Sequence, residues 1–147
     1  MKTIFKKLLR AGIAALVYSV YVIIRMLPYA VASRLGALVG TIVYYLNFTA
    51  RRLSRANLAA AFPEKNNAEL MRIARAAFAN QGRNFFEFCT FGSLDRATID
   101  RYVTLDSPEV LKKAFDRTKG ILYLSAHFGN WEFMGASLSL WGYPINV

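Results

Sequence analysis

Two long uncharged runs open the chain: neither Ala11–Ile24 nor Leu35–Ala50 holds an Asp, Glu, Lys or Arg. Ala11 to Leu27 is 17 residues, at the short limit for a helix that spans a bilayer. Arg25 sits near its end, where a long side chain can snorkel to the interface, and Pro28 breaks it. Residues 1–48 therefore read as a helical, lipid-facing anchor. Tyr44, Tyr45 and Phe48 near its end suit either the headgroup level or a core. Residues 49–91 read as a helical connector. Phe62-Pro63 ends one segment, and Asn66 with Glu69 three residues later has the spacing of a capping box. Leu70, Ile73, Ala77, Phe78, Phe85 and Phe88 then recur at about 3.6 residues, as a packing stripe does.

From residue 92 the pattern alternates. Tyr102–Leu105 is a short strand candidate. Ser107-Pro108-Glu109 has the cap, first-turn proline and early acid of a helix start. Ile121–Ala126 is an apolar run with strand character, residues 130–140 a helix closed by Gly142, and Pro144–Val147 a further extended piece. Strands alternating with helices predict an α/β fold: the opening β-α-β-α units of an incomplete, mostly parallel sheet, behind a helical membrane-associated region.

Charge sharpens the picture of the first third. The chain carries +10, and no acidic residue precedes Glu64, while Lys2, Lys6, Lys7, Arg10, Arg25, Arg34, Arg51, Arg52 and Arg55 do. Charges flanking apolar runs favour anionic lipid; a nucleic-acid binder clusters them along a groove-facing surface. A secretory signal ending at Ala30-Val31-Ala32 is the rival reading. The apolar stretch from Leu35 and the Arg51, Arg52, Arg55 cluster fit a retained anchor better. Basic residues on both flanks leave the first span without a charge-set orientation. One cysteine, Cys89, excludes an intrachain disulfide, and one His with one Cys makes no credible zinc site.

The chemistry concentrates in His127-Phe128-Gly129-Asn130-Trp131-Glu132. The single histidine stands five residues before a carboxylate, at the carboxyl end of the expected strand, where open α/β sheets place their crevices. The spacing alone is a weak motif, and a lone His is more often structural. Yet an imidazole oriented by a carboxylate is the usual general base for a hydroxyl. Tyr123, Ser125 and His127 would share one side of the strand. Backbone N–H groups of Gly129, Asn130 and Trp131, at a helix start, suit an oxyanion or a phosphate. Trp131 fits packing under the site better than substrate contact. Ser125 lacks the glycine pattern of a nucleophile elbow.

That hexapeptide resembles the His-x4-acid signature of the glycerolipid acyltransferase superfamily. In this form it is most similar to the bacterial lipid A biosynthesis (lauroyl and myristoyl) acyltransferases. Arg51-Arg52 with Asn57-Leu58 and Phe62-Pro63-Glu64, Gly82-Arg83-Asn84 with Glu87, and Lys119-Gly120-Ile121-Leu122 resemble further ordered segments of that family. The resemblance implies catalysis by His127 with Glu132, with no cofactor. It implies an acyl carrier protein thioester as donor and a phosphorylated glycolipid as acceptor. Arg51, Arg52 and Arg55 would meet lipid phosphates, as substrate ligands or as plain headgroup anchors. It implies the bacterial inner membrane, with the catalytic part facing the cytoplasm. It also implies that residues 49–147 are the first part of a longer acyltransferase domain, whose arginine-containing substrate segment lies past Val147. Acylation of another glycolipid or of glycerol phosphate, and an inactive membrane-anchored fragment, remain the alternatives.

Overall fold

The computed structural model describes residues 2–146. The chain divides into two compact units, Met1–Gly92 and Ser93–Val147.

The first unit is built from four helices: α1 (Lys2–Arg25), α2 (Tyr29–Leu46), α3 (Phe48–Ala61) and α4 (Asn67–Thr90). Pro28 disfavours helical backbone at the residue before it, so α1 stops at Arg25 and α2 restarts with Pro28 as its cap. Asn47 closes α2 and opens α3, its Oδ1 accepting the Ala50 N–H at 2.9 Å. The expected capping box is present: Asn66 and Glu69 exchange two 3.0 Å hydrogen bonds at the start of α4. Asn66→Ala should lower the unit's stability by about 1 kcal/mol, read from a denaturant midpoint.

The spine of this unit is the contact between α2 and α4. Ala32, Gly36, Gly40 and Tyr44, each four residues apart, are the buried residues of α2. They face Phe78, Gly82 and Phe86 of α4 so closely that the two backbones touch at Gly36, Gly40 and Gly82. Such small-x-x-x-small rows let helices pack at minimal separation. Tyr44 stacks edge-on against Phe78, 5.6 Å between centroids. Ser33 donates a 2.7 Å hydrogen bond to Oε1 of the buried Glu87. The expected stripe on α4 holds at Leu70 and, half-buried, at Ile73 and Phe78, but not at Ala77, Phe85 and Phe88, which are exposed. The buried row runs instead through Leu70 and Ala74 toward Gly82, because a glycine face on α2 needs small residues opposite it.

The second unit holds α5 (Arg96–Tyr102), α6 (Pro108–Phe115) and α7 (Trp131–Leu140), after a 3-10 turn at Phe91–Ser93. Asp95 caps α5 through the Thr98 N–H at 2.8 Å, and hydrogen bonds from the Thr98 side chain first and its backbone second hold the Asp95 carboxyl below the usual carboxylate range. Asn130 caps α7 by accepting the Phe133 N–H at 3.0 Å, and Gly142, at φ 93°, follows its end. Trp141 Nε1 donates to Asp100 at 2.7 Å, tying α7 to α5. Ile99, Phe133, Ser137 and Leu138 are buried here.

The α/β expectation fails. Among the described residues there is no strand, and the architecture is all-α. Tyr102 ends α5, residues 103–105 are irregular, and the piece from Pro144 is irregular as far as residue 146; Val147 lies outside the described residues. Ile121–Ala126 forms no ladder either, although its sides still alternate. Ile121 and Tyr123 are 40% and 45% exposed, Leu122 and Leu124 90% and 91%. A strand is defined by its neighbour: without a second extended segment in register, its N–H and C=O groups have no ladder to join. The buried strand expected here is therefore absent: the run is exposed, and no described segment pairs with it.

Candidate active site

His127 lies on the exposed loop that follows the apolar run, two residues before Gly129, whose φ of 62° turns the chain. A side chain there would be strained, so glycine is the residue this turn requires. Asn130 then caps α7, which puts Trp131 and Glu132 in its first turn. The His127 ring packs on Trp131, 4.9 Å between centroids and tilted by 59°. Glu132 is half-buried one helical position further on. No hydrogen bond or ion pair joins His127 to Glu132; the imidazole's ring contact is with the Trp131 indole. The five residues His127, Gly129, Asn130, Trp131 and Glu132 therefore share one loop-to-helix junction.

Beside this junction the second unit encloses an open apolar cavity of about 570 Å³. Its walls include Val103, Leu111, Tyr123, Met134, Leu138 and Trp141. It is bounded by the run that leads to His127 and by the middle of α7, whose first turn holds Glu132. Neither of those two residues lines it.

Arg51, Arg52 and Arg55 belong to the first unit, on α3. The Arg51 guanidinium sits 4.9 Å from the Phe48 ring centroid and 5.6 Å from that of Tyr44. Arg52 and Arg55 are exposed. No group of three or more metal-binding side chains occurs among the described residues.

With this geometry in view, comparison with known families decides the lineage. The family model for bacterial lipid A biosynthesis acyltransferases matches residues 2–145. The chain belongs to that family. Neither a curated protein nor a solved structure matches it. As a lipid A acyltransferase family member it is an acyltransferase, and the family points to a lipid acceptor.

Two features of this acyltransferase escaped sequence reasoning. The glycine row was visible as Gly36-x-x-x-Gly40 but was absorbed into an apolar run. The burial of Glu87 had no local signal, since its partner Ser33 lies 54 residues away. Cys89 packs as a small apolar residue does, buried with Ile24 and Ala32, and burial pushes its thiol pKa up. Because the thiolate is the reactive form, alkylation of Cys89 should be slow in the folded chain and fast after unfolding, as mass spectrometry would follow.

Proposed function

We propose that the chain is a membrane-bound O-acyltransferase that moves a fatty acyl group from an acyl carrier protein thioester to a hydroxyl of a lipid A precursor. The observation that carries this reading is the His127–Glu132 string at the start of α7, inside a family match covering residues 2–145. His127 takes the proton of the acceptor hydroxyl as its oxygen attacks the thioester carbonyl. Glu132 fixes the imidazole tautomer and favours the imidazolium that forms. Catalytic contacts commonly tighten only when substrate is bound, so the pairing with Glu132 belongs to the loaded site. The negative oxygen of the tetrahedral intermediate faces the backbone at the amino end of α7, where the helix dipole favours it. Collapse breaks the carbon–sulfur bond, and the departing thiolate takes the proton back from His127. An ester and a free carrier thiol result.

Membrane attachment rests on α1 and α2. Lys6–Arg25 and Tyr29–Leu46 are each long and apolar enough to cross a bilayer. Lys6, Lys7, Arg10 and Arg25 towards the ends of α1, and Arg51, Arg52 and Arg55 just past α2, favour an anionic surface. We place the protein at the bacterial inner membrane with the second unit on the cytoplasmic side, where carrier-protein thioesters are supplied.

The test is acyl transfer by membranes holding the chain, from a labelled carrier-protein thioester to a phosphorylated glucosamine disaccharide acceptor. Labelled ester should form with the wild-type chain and fall sharply with His127→Ala. Equal turnover by the two would remove the mechanism.

A further inference from the structure

Helix α3 has no buried residue, yet it is not a featureless linker. Ala50, Arg51, Ser54 and Leu58 are half-buried on its inner side, and the rest is open. At 100° per residue, Phe48, Arg52, Arg55 and Ala59 share one outward side, with Arg51 at its border. No carboxylate lies within ion-pair reach of Arg51, Arg52 or Arg55 among the described residues. The ion pairs described there are Glu64–Lys65, Arg96–Asp100 and Lys112–Asp116. Three guanidiniums are thus held together, uncompensated, in a stretch of chain with no acidic residue before Glu64.

We infer that α3 lies flat on an anionic phospholipid surface, its arginine side against lipid phosphates, as a second contact besides the apolar helices. The inference rests on the membrane-bound reading and adds a charge-selective element to it. Two observations favour a bilayer over a nucleic acid. The arginines share their side with the exposed Phe48, and the exposed Leu46 ends the helix just before it, apolar surface that a headgroup–acyl boundary accepts and a phosphodiester backbone does not use. And α3 starts two residues after α2 ends, across Asn47 alone, so it emerges where an apolar helix of spanning length stops. Arg51 over the exposed Phe48 ring, 4.9 Å from its centroid, pairs a cation with an aromatic side chain as interfacial belts do.

The experiment uses the full chain in lipid nanodiscs, either neutral phosphatidylcholine or the same with phosphatidylglycerol. A polarity-sensitive fluorophore is attached at Ala59→Cys in a Cys89→Ala background. Its emission should shift to the blue in anionic discs and return at high salt. Arg51→Gln, Arg52→Gln and Arg55→Gln together should lower the ratio of docked to undocked α3 on the order of 100-fold, abolishing the shift. The matching triple lysine variant should keep it, because a surface reads charge. No shift in anionic discs, or a shift that survives the glutamine changes, overturns the inference. So does loss of the shift with lysine, which would mark a guanidinium-specific phosphate site, or an equal shift produced in neutral discs by a DNA oligonucleotide. A chain that enters neither kind of disc refutes the membrane-bound reading itself. One that enters both while α3 stays in water refutes only this step.

Discussion

Gly82→Ala should destabilise the first unit by about 3 kcal/mol, the upper end of ordinary overpacking, and Gly82→Leu should separate α2 from α4. The reason is that the added carbon meets backbone. A Cβ at Gly82 would stand 2.7 Å from the Gly40 nitrogen and 2.8 Å from its Cα, with the Gly36 carbonyl oxygen closer still. No rotamer change relieves such a contact, so one helix must move. That movement would pull Tyr44 off Phe78 and stretch the bond from Ser33 to Glu87. Gly135 is the matched control. It lies within α7 with nothing within 4 Å of a built Cβ, so Gly135→Ala should stabilise the helix by about 1 kcal/mol through propensity alone. Denaturant unfolding in detergent, followed by helical circular dichroism, separates the two. Equal midpoints for Gly82→Ala and the wild type would mean that α2 and α4 are not in contact.

That contact also shows what local sequence can and cannot report. Helix boundaries were legible wherever one residue dictates them. Pro28 breaks α1 from α2, Asn66 and Glu69 cap α4, Pro108 opens α6, and Asn130 caps α7; each acts within a few residues of itself. Which face of α4 is buried was not legible, because it depends on glycines in α2 more than 40 positions earlier. A period of 3.6 residues passes through both Phe85 and Gly82, and only the partner helix chooses between them. The missed sheet has the same cause in a stronger form. Ile121–Ala126 has the apolar composition of a buried strand, but pairing is a property of two segments. Leu122 and Leu124 are left in solvent for want of the second. The candidate site, by contrast, was legible as a junction. His127, the turn at Gly129, the cap at Asn130 and the position of Glu132 in the first turn all follow from adjacent residues. The tilted contact of His127 with Trp131 was legible only as far as Trp131 packing at the site, since spacing cannot say which of two neighbours an imidazole will face.

His127→Ala should lower kcat about 10²- to 10⁴-fold, the usual contribution of a general base, with KM nearly unchanged. In the proposed mechanism the imidazole takes a proton only in the transition state and does not itself hold donor or acceptor, so the loss should fall on the chemical step. Glu132→Gln is the more searching variant. Glutamine keeps an oxygen for an imidazole N–H but carries no charge, so it can still orient His127 while failing to favour the imidazolium. A substantial fall in kcat, smaller than that of His127→Ala, is therefore expected. In the double variant the two losses should fail to add, since a carboxylate that acts through the imidazole has nothing to act on once the ring is gone. Additive losses would place Glu132 in an independent role. Trp131→Ala discriminates further. If the indole only parks the ring in the unloaded site, its removal leaves kcat within a few-fold of wild type. A loss as deep as that of His127→Ala would mean that the indole, and not the carboxylate, sets the imidazole's aim.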